Sequence, residues 1–156
     1  MTRESNETIG EIMKKEDFMK YVDHFNNKRY DDIVSYFAPD ITVEYYDNAL
    51  DPTSPARTLH GPQAFIENYK KLHENVVEIL EVRDYISDDE YLFVELWTEF
   101  HAFNDMEASP ARPTLKKGET MIMTNFILYN LEGGKMKRIR IAHWRNHPSE
   151  EAKYKG

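Results

Sequence analysis

The stretch MIMTNFILY, Met121–Tyr129, is the most apolar run in the chain. Apolar residues occupy both alternating positions, which is typical of a β-strand buried on both faces. Asn125 lies in the middle of this run. A buried side-chain amide without a hydrogen bond costs about 1–3 kcal/mol. We therefore expect Asn125 either to bond a structural partner or to face a cavity that holds another molecule.

The strand predicted just upstream, over residues 91–103, carries ionisable side chains. Alternation along a strand puts Glu95, Glu99 and His101 on one face. The opposite face carries Val94, Leu96, Thr98 and Phe100. From the residues alone, the His101 face can line a cavity or meet solvent, and both interpretations stay open. Histidine titrates near neutral pH, so His101 is a candidate general acid or base.

The other elements are read from periodicity and turn residues. Apolar positions at i, i+3, i+4 and i+7 predict a first helix over residues 15–27. Further helices are predicted over 30–37 and 62–74, strands over 41–46, 76–86, 91–103, 119–131 and 135–145, and loops over 51–62 and 104–118. This order predicts an α+β fold in which three N-terminal helices pack into a strongly curved antiparallel sheet.

The domain organisation follows from the same pattern. Residues 13–147 are predicted to form a single domain, after a disordered N-terminus over 1–12 and before a polar tail over 148–156. The loop at 104–118 is too long for a tight hairpin. The sequence does not decide whether this loop covers a pocket.

Composition narrows the classes of partner. The chain has 156 residues, a formal net charge of −8 and no cysteine. An acidic chain without a clustered basic stretch is not expected to bind nucleic acid. No apolar run approaches the roughly 20 residues of a membrane span, so no membrane partner is expected. The lack of cysteine fits a reducing compartment, and we expect a soluble cytoplasmic protein.

The order of elements resembles the cone-shaped nuclear transport factor 2-like superfamily, which includes ketosteroid isomerase, scytalone dehydratase and the SnoaL-like polyketide cyclases. The segment KYVDHFNNKRYDDIVSYFAPDITVE, Lys20–Glu44, aligns with ketosteroid isomerase without a gap. Tyr21 then matches that family's oxyanion-hole tyrosine, and Asn125 matches its neutral aspartic acid. Tyr45 stands where that family keeps its aspartate base, so that base is missing here.

Scytalone dehydratase is similar to the chain at three polar pocket positions. Its catalytic tyrosine, strand histidine and pocket asparagine correspond to Tyr45, His101 and Asn125. The positions that depart from its pattern are Phe25, Asn26, Val76 and Met123. The resemblance therefore lies at the level of the superfamily, and scytalone is not the expected substrate.

The resemblance implies that the His101 face of its strand lines a cavity. Tyr45 and Asn125 would then polarise a carbonyl, and His101, supported by Glu99, would move a proton. Glu99 is the alternative base. The residues predicted to contact the substrate are Tyr21, Phe25, Trp97, Met123, Ile141 and His143. The prediction is a lyase or isomerase of the dehydratase or cyclase type, acting on a small apolar carbonyl or polyketide-like compound.

No cofactor or metal is expected. The chain contains no phosphate-binding glycine loop, nucleophile elbow or dinucleotide fingerprint. His143 and His147 are four residues apart, a ligand spacing that suits a helix, but they fall on a predicted strand end. His24, His60 and His73 are predicted to be surface residues.

A second class of function stays open at this stage: a non-catalytic module of the same fold that binds a small molecule or dimerises. An epoxide-opening hydrolase of related fold would need two inward-facing aspartates, which the predicted strands lack. The expected partners are a small apolar organic ligand and a second copy of the chain, packed against the open face of the sheet.

Overall fold

A curved six-stranded sheet and three helices make up the part of the chain that the computed structural model describes, residues 13–46, 55–109 and 112–156. The helices are α1 (Lys15–Asn26), α2 (Tyr30–Val34) and α3 (Gly61–Leu72). The strands are β1 (Phe37–Tyr45), β2 (Arg57–His60), β3 (Val76–Ser87), β4 (Tyr91–Ala102), β5 (Thr120–Glu132) and β6 (Lys135–His147). The predicted α+β fold class, with helices packed on a curved sheet, is confirmed.

The sheet has the strand order β2-β1-β6-β5-β4-β3. Four neighbouring pairs are antiparallel, but β1 and β6 run parallel, so the predicted all-antiparallel arrangement is wrong at one junction. The two strands are separated by most of the chain, which supplies the long connection that a parallel pair requires. Strand β2 falls inside the predicted loop over 51–62, where a four-residue edge strand carries little periodic signal. Residues 51–54 of that loop lie outside the described residues.

Helix α1 follows the predicted stripe closely. Its buried residues are Phe18, Tyr21, Val22 and Phe25. Helix α2 ends at Val34, three residues before the predicted end, and β1 begins at Phe37. The carbonyl of Tyr36 accepts a hydrogen bond from the backbone N–H of Met136, at 2.8 Å. Pairing with the sheet therefore takes over from the local helical pattern at this point.

We call the sheet face that packs against the helices the inner face, and the opposite one the outer face. Leu92, Val94 and Leu96 of β4 are buried with Phe18 of α1 in one core cluster, so they belong to the inner face. Glu99 and His101 have the opposite parity and lie on the outer face. None of the helices in the described ranges is long and apolar enough to cross a membrane.

Candidate functional site

A cavity of about 650 Å³ lies between the helices and the inner face of the sheet. That volume is typical of small-molecule sites. Much of its wall is apolar, with Phe25, Phe65 and Leu96 among the contributors. The polar residues of its wall include Tyr45, Tyr69, Glu78, Thr98, Arg112 and Asn125.

Six residues predicted to belong to the site line this cavity. They are Tyr21, Phe25, Tyr45, Met123, Asn125 and Ile141. Asn125 pairs with Leu96 of β4 and His143 of β6 in the sheet. Asn125 therefore lines the cavity, as expected. Its catalytic role stays a prediction.

The predicted cavity face of β4 is wrong. Leu96, Thr98 and Phe100 line the cavity, whereas Trp97, Glu99 and His101 lie on the outer face. The physical reason is that both faces of this strand are covered, so burial does not distinguish its two parities. Glu99 is fully buried beneath the C-terminal segment, not beside a pocket.

His143 is the fourth predicted residue that does not contribute to the cavity wall in the described part of the chain. It pairs with Asn125 across β5 and β6, but the register of the two strands shifts between Thr124 and Asn125. The shift lies beyond this pair, towards Arg145, so His143 keeps the parity of Ile141 but lies two positions nearer the end of the strand, outside the residues that line the cavity.

A buried carboxylate–imidazole pair in the cavity wall is fixed by hydrogen bonds. Glu78 Oε1 lies 2.9 Å from His73 Nε2, and His73 Nδ1 lies 2.7 Å from the hydroxyl of Tyr30. His73 is 6% exposed and Glu78 is 7% exposed. Burial, reinforced by the negative charge of Glu78, raises the pKa of Tyr30, so this phenol keeps its proton.

The hydrogen-bond network assigns the tautomer of His73. The Tyr30 hydroxyl donates to Nδ1, and the Nε2–H of His73 donates to Glu78 Oε1. The imidazole thus holds one oxygen of the carboxylate. The other oxygen, Oε2, has no hydrogen-bond partner among the described residues. The arrangement orients a carboxylate toward the cavity and leaves one oxygen available to a ligand.

Local structure explains why these two residues meet. His73 caps the C-terminus of α3, and Glu78 is the third residue of β3, after a single tight connection. Sequence reasoning missed both, and the prediction that His73 is a surface residue is wrong. The signal was present: His73 follows Tyr69 by four positions on the buried stripe of the helix, and Glu78 shares the parity of Val76 and Leu80.

A pair of tyrosine hydroxyls adds neutral hydrogen-bond donors. The hydroxyls of Tyr45, at the end of β1, and Tyr69, on α3, lie 2.7 Å apart. Burial raises the pKa of Tyr45 to about 12 and that of Tyr69 well above its ordinary value. Burial likewise raises the pKa of Tyr21 and Tyr129, which also line the cavity. Because these phenols stay protonated at neutral pH, they can donate to a developing oxyanion.

Two arginines contribute positive charge to the cavity wall, and sequence reasoning named neither. The guanidinium of Arg57 lies 4.3 Å from the centre of the Tyr45 ring, and its Nη1 donates to Asn68 at 3.0 Å. The guanidinium of Arg112 lies 6.0 Å from the centre of the Phe100 ring. Burial lowers the pKa of Arg112. Both residues come from segments predicted to be loops, where periodicity gives no information about direction.

The carboxylate of Glu99 anchors the C-terminal segment on the outer face. It accepts hydrogen bonds from Trp97 Nε1 at 2.8 Å, His101 Nε2 at 2.8 Å and the backbone N–H groups of Lys153 and Tyr154 at 2.7 and 3.2 Å. Burial acts to raise the pKa of Glu99, but these donors outweigh it and the pKa is lowered. Every donor is a protein group, so the geometry explains attachment of the segment without a ligand.

Metal ligation finds no support in the described residues, among which no three of His, Cys, Asp or Glu lie close enough together to hold an ion. The polar groups of the cavity are a carboxylate, phenols, an amide and guanidinium groups. Such a set can bind oxygen-bearing organic molecules by hydrogen bonds and charge.

The sheet order, the packed helices and the enclosed cavity together define the nuclear transport factor 2-like class of cone-shaped folds. Within this class, the profile of the SnoaL-like domain matches residues 18–139. The chain therefore belongs to the SnoaL-like domain family. No curated protein matches the sequence significantly.

Solved structures agree with this fold. A SnoaL-like polyketide cyclase from Agrobacterium tumefaciens is similar with a TM-score of 0.61 and 15% identity, over 83% of this chain and 91% of that one. TerC, crystallised with polyporic acid, gives a TM-score of 0.62 and 14% identity, over 88% and 92%. An NTF2-like protein of unknown function from Burkholderia pseudomallei gives 0.62 and 13%, over 88% and 91%. At these identities the likeness shows the fold.

Proposed function

We propose that this protein is a cofactor-independent isomerase or cyclase that moves a proton at a carbon next to a carbonyl group, with Glu78 as the general base. The observation that carries the proposal is the buried Glu78–His73 pair in the cavity wall, with Oε1 held at 2.9 Å by the imidazole. A general base needs a fixed orientation and one free oxygen in reach of the substrate. Glu78 meets both requirements, whereas Glu99 has its oxygens occupied by four protein donors.

The proposed step conserves atoms and electrons. Glu78 takes a proton from the α-carbon, and the electron pair of the broken C–H bond moves into the carbonyl to give an enolate. The neutral hydroxyls of Tyr45 and Tyr69 and the amide of Asn125 donate hydrogen bonds to the enolate oxygen. Protonated Glu78 then returns the proton to another carbon, which shifts a double bond. Alternatively, the enolate carbon attacks a second carbonyl to close a ring, and the proton goes to the new alkoxide.

The size and lining of the cavity support a substrate with one or more apolar rings. About 650 Å³ accommodates a molecule of drug-like size. Aromatic walls such as Phe25 and Phe65 offer stacking surfaces, and Met123 adapts to irregular shapes. Two relatives in fold, one described as a SnoaL-like polyketide cyclase and one crystallised with polyporic acid, agree with ligands of this kind.

We also propose that the protein forms a homodimer through its outer face. Phe126 and Trp144 are 36% and 46% exposed, and their rings stack at 5.0 Å with an interplanar angle of 3°. Phe93 extends this group, 5.6 Å from Phe126. Contiguous exposed aromatics of this kind mark interaction sites on soluble proteins. The group lies on central strands of the sheet, where a second copy can cover it.

The experiment that tests the catalytic proposal uses 2-tetralone, a two-ring ketone with acidic α-protons. Exchange of these protons in heavy water is followed by NMR with the wild-type protein, Glu78→Gln and the control variant Glu95→Gln. We expect acceleration by the wild type, a loss of about 10²–10⁴-fold in Glu78→Gln, and no loss in the control. Equal rates for the wild type and Glu78→Gln would contradict the proposal, as would a wild-type protein that does not accelerate the exchange.

A further inference from the structure

Two buried polar atoms in the cavity region have no hydrogen-bond partner among the described residues: Nε of Arg112 and Oγ1 of Thr98. Both residues line the cavity. A buried donor that stays unpaired is unfavourable, and the penalty grows when the donor carries charge. Both atoms belong to residues that line one cavity, so a bound molecule can supply the missing acceptor when these side chains turn toward it.

Among the described residues, no carboxylate forms an ion pair with Arg112, whose guanidinium lies over the Phe100 ring. Glu78 is the acidic group that interacts most strongly with it, yet no ion pair joins the two residues in the described part of the chain. Glu78 is instead held by His73. The other charged residues of the cavity wall, such as Asp105 and Glu107, are exposed and therefore screened by solvent. An arginine and a carboxylate thus share one cavity without neutralising each other by contact.

The sheet register puts these groups at the same end of the cavity. Glu78 pairs with Phe100, and the neighbouring pair on the same face is Leu80 with Thr98. The guanidinium of Arg112 lies over the Phe100 ring. Arg112 and Thr98 therefore both lie next to Phe100, the cross-strand partner of Glu78, on one part of the cavity wall.

From this arrangement we propose that the cavity is selective for organic anions, with Arg112 and Thr98 binding an acidic oxygen group of an aromatic substrate. The group is a carboxylate or an acidic enol, because a guanidinium and a hydroxyl together satisfy an oxygen anion with both charge and hydrogen bonds. This inference rests on the proposed function for the identity of the site and adds the substrate class. It requires anion binding only and no chemical step.

The test compares two fluorescent probes that share one aromatic skeleton. The probe 8-anilino-1-naphthalenesulfonate carries a sulfonate, whereas N-phenyl-1-naphthylamine is the same skeleton without that group. Both are titrated against the full-length wild-type protein and the variant Arg112→Gln. We expect the wild type to bind the anionic probe more tightly. In Arg112→Gln, affinity for the anion falls by about tenfold or more while affinity for the neutral probe is unchanged.

Two further arginine variants test whether the loss of anion affinity is specific to Arg112. Arg57→Gln removes a positive charge from the rim of the same cavity, and Arg145→Gln removes one from an exposed position on β6. We expect a smaller loss in the first and none in the second. A loss in either that equals the loss in Arg112→Gln would overturn the proposal, because the anion would then be held by the general field of the rim or on another surface. Unchanged anion affinity in Arg112→Gln would overturn it directly.

The design separates this inference from the proposed function. Glu78→Gln should bind the neutral probe normally and the anionic probe at least as tightly as the wild type, since it removes a nearby negative charge. Suppose that Glu78→Gln loses proton exchange while Arg112→Gln binds the anion as the wild type does. This result would contradict the proposed anionic substrate class and leave the proposed catalytic role of Glu78 intact. Arg112-dependent anion binding in a protein without exchange activity would support the anion site and contradict the catalytic proposal.

Discussion

Glu78 and Glu99 are both buried carboxylates that contact a histidine, but they lie on opposite faces of the sheet. Glu78 is bonded through one oxygen and borders the cavity. Glu99 accepts four hydrogen bonds, two of them from the C-terminal backbone. The number of protein donors on each carboxylate therefore separates a group available to a ligand from one used for structure.

The role of His73 is testable by replacing it with a ring that cannot donate. His73→Phe keeps the aromatic packing on Phe25 and Tyr69 but removes the hydrogen bonds to Glu78 and Tyr30. Because the imidazole orients the proposed base, we expect the rate of 2-tetralone exchange to fall, and His73→Gln, whose amide can still donate to Glu78, to recover part of the rate. Equal rates in His73→Phe and the wild type, or equal losses in the two variants, would mean that His73 contributes only to packing.

Glu44 provides a pH-dependent contribution to stability on the outer face. Arg138 donates to it through Nε at 2.5 Å and Nη2 at 2.8 Å. These hydrogen bonds lower the pKa of Glu44 to about 2, against the opposing effect of burial. Because the folded pKa lies below the unfolded value of about 4.3, the stabilisation is complete above the unfolded value and lost as pH falls towards 2.

The corresponding variant is Glu44→Gln. At pH 7 we expect its free energy of unfolding in urea to be lower than that of the wild type by about 1–3 kcal/mol. The difference should narrow as pH falls from about 4.3 to about 2, where wild-type Glu44 also becomes neutral. A difference that stays constant across this range would show that the ion pair is not its source.

At the scale of elements, strong periodicity predicts structure well and solvent exposure poorly. The stripe of α1 and the doubly apolar run of β5 give elements close to those observed. The parity of β4 does not follow in the same way, because its outer face is buried too. What buries it is a polar segment over 148–156, held by backbone N–H groups and polar side chains of Lys153 and Tyr154, so it carries no apolar pattern that would predict this packing.

The cavity residues also differ in how well the sequence predicts them. Asn125 stands out as a polar group within an apolar strand, and Tyr45 is found through the resemblance to scytalone dehydratase. Arg112 lies in a predicted loop, and its direction depends on two isolated bridges that pair Met106 with Leu115 and Ser109 with Arg112. Such pairings are set by tertiary contacts, and local sequence does not determine them.

Attachment of the C-terminal segment should depend on Glu99. We expect Glu99→Gln to lower the free energy of unfolding by about 1–3 kcal/mol, since an amide cannot accept all four hydrogen bonds as a carboxylate does. Fluorescence of Trp97, which lies 4.7 Å from the His147 ring, should change as the segment loosens. Glu95→Gln, on the same face of β4, is the control. Equal stability of Glu99→Gln and the wild type would contradict the anchoring role.

At the scale of the whole molecule, the two sheet faces have separate uses. The inner face and the helices enclose the cavity, and the outer face carries the C-terminal segment beside an exposed aromatic group. If this group joins two copies, Trp144→Ser should shift the protein from dimer to monomer in sedimentation velocity. Tyr91→Ser, another exposed aromatic on β4, should leave the dimer intact. A wild-type protein that is monomeric at all concentrations would contradict the proposed dimer.

The most direct measurement of which carboxylate is the base compares Glu78→Gln with Glu99→Gln in the 2-tetralone exchange assay. We expect Glu78→Gln to lose about 10²–10⁴-fold of the exchange rate. Glu99→Gln should keep the wild-type rate at a temperature where both variants are folded. Loss of exchange in Glu99→Gln, with activity retained in Glu78→Gln, would put the chemistry on the outer face and contradict the assignment of the site.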